Sequence, residues 1–124
     1  MNVEVFEPSA SASLAAFVRS DFSRITSELQ EFVRIPSVSG DLKHTSDVKR
    51  CAGWLARQLR NAGLERVRVF STPRHPIVYG EWLNAPGKAT VLIYGHYDVQ
   101  PAEPLKDWRL PAFRGENTGE RMNH

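Results

Sequence analysis

Val91-Leu92-Ile93-Tyr94-Gly95-His96-Tyr97-Asp98-Val99-Gln100-Pro101 runs from four large apolar residues into a histidine and a carboxylate. An apolar run of this kind between Lys88 and Gly95 suits a strand covered on both faces, and polarity begins where the run stops. Where the backbone stays extended through Tyr97, the two-residue repeat of a strand turns His96 and Asp98 to the same side. Imidazole is the commonest protein metal ligand, and a ligating histidine usually has its other ring nitrogen held by a carboxylate or carbonyl. The stretch therefore reads as a buried central strand that ends in a candidate metal ligand, His96, with Asp98 as its candidate orienter. Spacing alone leaves open whether Asp98 reaches that nitrogen, and the plain alternative is a polar strand end facing solvent.

Upstream, Asn84-Ala85-Pro86-Gly87-Lys88 is a turn leading into the central strand. Before it, Arg66-Val67-Arg68-Val69-Phe70 and Ile77-Val78-Tyr79-Gly80-Glu81-Trp82 alternate as strands do, and the tight connection Ser71 to Pro76 favours an antiparallel pair. Helices precede the strands. Leu14, Val18, Phe22, Ile25, Leu29 and Phe32 recur at spacings of three and four, which predicts one amphipathic helix from Ser13 to about Arg34, where Pro36 stops it. A second helix is capped by Thr45 or Ser46, carries Val48, Cys51 or Ala52, Leu55 and Leu59 on its apolar side, and ends at Gly63. Arg50, Arg57 and Arg60 lie off that stripe as a solvated face; the competing reading, a nucleic-acid patch, lacks aromatic stacking residues and base-rich clustering.

Composition sets outer limits. With 124 residues, 41% apolar, 24% charged and a net charge of +2, the chain is one ordinary globular domain at most, with no pull toward nucleic acid or membrane. The single cysteine, Cys51, excludes an internal disulfide framework and a cysteine-cluster zinc site. The start is acidic where a secretory signal is basic, and no stretch approaches the roughly 20 apolar residues that span a bilayer. A cytoplasmic location is the expectation.

The motif Gly95-His96-Tyr97-Asp98-Val99-Gln100-Pro101 after an apolar strand closely resembles that of the zinc-dependent metallopeptidases comprising carnosinase-type dipeptidases, acetylornithine deacetylases and aminoacylases. Tyr97 and Gln100-Pro101 look most like the dipeptidase branch. Ile35-Pro36-Ser37-Val38-Ser39-Gly40 also resembles this family's proline-serine turn after its first helix; by itself it is a loop. Trp108 and Pro111-Ala112-Phe113 resemble the loop after the metal-binding strand, although Ala112 separates a pair that is adjacent in the family. The resemblance covers about residues 20 to 113.

The resemblance implies the amino-terminal part of a three-layer α/β/α di-zinc exopeptidase catalytic domain. That part is α/β and incomplete, with two helices and then three strands. It places residues 13 to 113 in the catalytic domain; Pro8 and the alternating Ser9 to Ser13 make residues 1 to 12 a flexible tail, and the polar residues 114 to 124, without a core-facing pattern, a mobile one. The resemblance makes His96 a ligand of one of two zinc ions and Asp98 the aspartate that orients it. In the family, zinc acts as a Lewis acid on the scissile carbonyl and activates the attacking water. The bridging aspartate, base glutamate and remaining ligands have no counterpart here: Glu103, Asp107 and Glu116 read as solvated carboxylates, and Arg114 to Gly119 is at best a degraded echo of the bridging turn. The expected substrates are dipeptides or N-acyl amino acids. With one ligand, zinc binding is expected to be weak and the chain inactive alone, as in a truncated or frameshifted product. A noncatalytic remnant that self-associates through exposed core surface is the alternative. His44, His75 and His124 read as surface histidines, and Trp108 as the tryptophan nearest the site.

Overall fold

The computed structural model describes residues 8–119. It is α/β, with helices first and an antiparallel ribbon after them. Helices α1 (Pro8–Ser20) and α2 (Phe22–Val33) replace the single first helix expected from the sequence. They part at Asp21, where the Ser20 hydroxyl donates back to the Phe17 carbonyl at 2.8 Å and Arg24 grips the Asp21 carboxylate at 2.6 and 3.1 Å. Hydroxyl bonding to a preceding carbonyl bends helices. The bonds Asp21 N to Phe17 O and Ile25 N to Asp21 O, 3.0 and 2.9 Å, carry the helical ladder past the bend. Residues 8 to 12, assigned to a tail, are helical. Residues 1–7 of that tail and residues 120–124 of the expected mobile end, His124 among them, lie outside the described residues. At the described start of that end, Arg34 Nε donates to the Arg114 carbonyl at 3.1 Å.

Helix α2 stops at Val33, as Pro36 requires. Helix α3 (Thr45–Asn61) begins one residue earlier than expected, with His44 at the cap position. The Thr45 hydroxyl instead donates to the Leu42 carbonyl, and His44 Nδ1 meets Asp47 at 2.8 Å, so His44 is tied to the helix start. Gly63, at φ +86°, ends the helix in the left-handed conformation that glycine adopts without penalty. The bonds Leu64 N to Leu59 O and Gly63 N to Arg60 O complete that C-terminal motif.

Strands β1 (Glu65–Phe70) and β2 (Ile77–Glu81) pair antiparallel, Phe70 opposite Ile77, as the short turn predicts. The register slips between Glu65 and Arg68, where Arg66 takes φ 45° and its guanidinium meets Glu81 at 2.5 Å. Both strands pack on α3. Gly80 leaves room beside α3 and β1, since a Cβ there would lie 3.2 Å from side-chain atoms of Leu64 and Val67 and 3.4 Å from Leu59 of α3.

The core lies between α3 and the loop that follows α2. Ile35, Val38, Val48, Cys51, Ala52 and Ala56 are its buried apolar residues, joined by Ser37. Ala56 takes a place expected for Leu55. Burying a side chain such as Val48 contributes about 1.5–3 kcal/mol. Elsewhere large apolar groups face outward. Leu14, Phe17, Phe22 and Leu29 on α1 and α2 are more than half exposed, while Phe32 stacks on Trp54 of α3 at 5.2 Å.

The third, buried strand is the main correction. Val91 to Tyr94 form no strand, and the four residues are 78, 87, 88 and 81% exposed. An apolar run is buried only where other elements supply ladder partners and covering faces, and the described residues place none against it. Among the described residues the stretch pairs by a parallel bridge between Val38 and Val99 alone.

Candidate metal centre

The loop after α2 captures the end of the stretch by two bonds to its backbone, and α3 adds a third. The Ser37 hydroxyl donates to the Tyr97 carbonyl at 2.7 Å, and the Val99 N–H donates to the Ser37 carbonyl at 3.0 Å. From beneath, the Cys51 thiol also points at the Tyr97 carbonyl, 3.5 Å away. Burial pushes the Cys51 thiol pKa up, so it is held as a neutral donor. Tyr97 turns its ring the other way and donates its hydroxyl to the Pro76 carbonyl.

With Tyr97 anchored, His96 and Asp98 come together, the contact that spacing alone left open. His96 Nδ1 lies 2.9 Å from Asp98 Oδ1. A carboxylate only accepts, so Nδ1 carries the proton in this contact, and in the neutral ring Nε2 then keeps its lone pair. The Tyr94 hydroxyl donates weakly to that Nε2 at 3.3 Å, with the two rings edge to face. The other carboxylate oxygen, Asp98 Oδ2, accepts the Ser39 hydroxyl at 2.6 Å. The Ser39 bond first, and the His96 bond second, hold the Asp98 carboxyl below the usual carboxylate range.

His96 and Asp98 border a cleft of about 440 Å³ with Phe32, Ile35, Trp108 and Phe113. Trp108 is thus near the site, where its indole N–H donates to the Ala102 carbonyl at 2.7 Å. His75, expected at the surface, is half-buried: Nε2–H donates to the Ser39 carbonyl at 2.9 Å, and Nδ1 is buried with no hydrogen-bond partner among the described residues. Ser37 and Ser39 are the residues that the sequence reading left as loop. Their two-residue spacing was the available signal, since it places both hydroxyls on one side of an extended segment.

The donor chemistry fits one metal-ligand position, an imidazole with its rear nitrogen fixed. It does not fit a whole site. Among the described residues no group of three or more His, Cys, Asp or Glu is placed to hold an ion.

Relatives carry the same stretch of chain. The Cys-Gly metallodipeptidase DUG1 of Saccharomyces cerevisiae is 34% identical over 75% of this chain, and its counterpart in Candida albicans is 35% identical over 68%. The chain is a metallodipeptidase homologue. It spans about a fifth of these relatives, 21 and 20% of their lengths. This metallodipeptidase homologue also superposes, with a TM-score of 0.71 and 31% identity, on the dipeptidase Dug1p from S. cerevisiae, covering 78% of this chain and 22% of that one. No family model matches the chain. Among the described residues of this chain, no helix is long and apolar enough to cross a membrane.

Proposed function

We propose that this chain supplies one metal ligand and its orienting carboxylate to a metal-dependent dipeptidase centre. His96 ligates through Nε2, and Asp98 holds Nδ1. Zinc is the proposed metal, and dipeptides or N-acyl amino acids in a cytoplasmic setting are the proposed substrates. When bound, the metal polarises the scissile carbonyl and acidifies water. The single observation that carries the reading is the 2.9 Å Nδ1 to Oδ1 contact, which leaves the opposite nitrogen as a donor.

The test is a titration of the isotope-labelled chain with cobalt(II) while its histidine resonances are followed. His96 broadens first, weakly and reversibly, and His96→Ala removes the effect. Equal broadening of His44 and His75 would overturn the assignment. Alone, with zinc, cobalt or manganese, the chain is expected to hydrolyse no dipeptide; turnover abolished by His96→Ala would contradict this.

A second reading is favoured by the exposure of Val91 to Tyr94: a noncatalytic, self-associating module. An apolar segment with open backbone groups is a template for pairing. Size-exclusion chromatography at rising concentration should then show growing species, and a constant compact monomer would dismiss the reading.

A further inference from the structure

We propose that Ser39 is a positioning residue for the His96 ligand, acting through Asp98. This inference rests on the metal-ligand reading of His96 and extends it by one residue, drawn from a loop that carries no ligand.

The geometry is specific. A carboxylate held at one oxygen can rotate about its side-chain bond and offer its acceptor in a range of directions. Asp98 is held at both: Oδ1 by His96 at 2.9 Å and Oδ2 by the Ser39 hydroxyl at 2.6 Å. Two ties at opposite oxygens fix the plane of the carboxylate. That plane sets the tautomer and rotation of the imidazole, and therefore where Nε2 points.

Ser39 is itself placed by independent contacts. Two residues before it, Ser37 exchanges bonds with the Tyr97 carbonyl and the Val99 N–H, which pins the loop in register with the stretch bearing His96. The Ser39 carbonyl is gripped by His75 Nε2 at 2.9 Å, from the turn between β1 and β2. The hydroxyl is thus delivered to Asp98 from a backbone held on both sides. The partners lie 59 residues apart, so this arrangement is made by the fold and not by local spacing.

The experiment reads the ring nitrogens of His96 by long-range proton–nitrogen correlation in the labelled full chain without metal. The unmodified chain is expected to show the Nδ1–H form. Ser39→Ala is expected to shift His96 toward a mixture with the Nε2–H form, Ser39→Thr to retain the Nδ1–H form, and Asp98→Asn to lose it. Cobalt affinity should fall severalfold in Ser39→Ala, less than the roughly 10–100-fold typical when a ligand's direct partner is removed. Where Ser39→Ala unfolds, comparing Ser39→Thr with Ser39→Val gives the same readout at matched shape. An unchanged tautomer in Ser39→Ala, or in Ser39→Val where that pair is used, beside an altered one in Asp98→Asn overturns the role of Ser39 and leaves the His96–Asp98 pair standing. An unchanged tautomer in Asp98→Asn overturns both.

Discussion

Val91 to Tyr94 and Tyr97 to Val99 belong to one continuous stretch, yet the first is open to solvent and the second is tied down. The open part is the more apolar, with Ile93 88% exposed. The tied part is held by polar groups: a serine hydroxyl, a backbone amide and a thiol. Apolar character alone therefore does not bury a segment. Burial needs a surface to pack against, whereas two or three well-placed hydrogen bonds to an existing loop can fix a backbone at once.

The comparison is broken most directly by exchanging one side chain on each side of it. Ser37→Ala removes a hydroxyl from a residue only 2% exposed and leaves the Tyr97 carbonyl with the distant thiol. The expected loss is about 1–3 kcal/mol of stability. Ile93→Ser is expected to change stability by less than about 0.5 kcal/mol, because the side chain is already in water, while reducing self-association. Urea unfolding followed by tryptophan fluorescence measures both, and a larger loss for Ile93→Ser would reverse the contrast.

Cys51 sharpens it from beneath. Its thiol is fully buried and its pKa is raised by burial. Near pH 8.5, where a free thiol is about half ionised, alkylation of the folded chain should be at least about tenfold slower than in denaturant. The sign follows from linkage: a raised pKa in the folded state contributes stability that is complete below the unfolded value and is lost as pH rises through the folded one. Labelling rate against pH checks it, with protection failing on the alkaline side. Labelling equal to that of the denatured chain at neutral pH would show that the tied region is open.

These contrasts mark what the sequence could convey. Helix α3 and its end at Gly63 were legible because an apolar stripe and a left-handed glycine are local signals. The pairing of β1 with β2 followed from a six-residue connection, whereas strand alternation could put His96 and Asp98 on one side but not show that they meet. The bend at Asp21 was missed because the stripe passes through it undisturbed. Ser37 and Ser39 looked like loop because their partners lie about 60 residues away. The burial expected for Val91 to Tyr94 was wrong for the complementary reason, since a run of apolar residues reports what could be covered and not whether covering elements are present.

Tyr94 stands where the two regions meet and gives the smallest expected effect. Tyr94 is 81% exposed like the rest of the open segment, yet its hydroxyl reaches the ligand nitrogen of the tied one. At 3.3 Å to Nε2 the bond is long and solvent-exposed, so it contributes little to stability. It does occupy the lone pair that a metal would use. Tyr94→Phe should therefore leave unfolding unchanged within about 0.5 kcal/mol and tighten cobalt binding slightly, by less than twofold. The histidine titration described above measures the second effect. Weaker binding in Tyr94→Phe would mean that the tyrosine supports the ligand rather than competing for it, and the boundary between open and tied regions would then move back to include Tyr94.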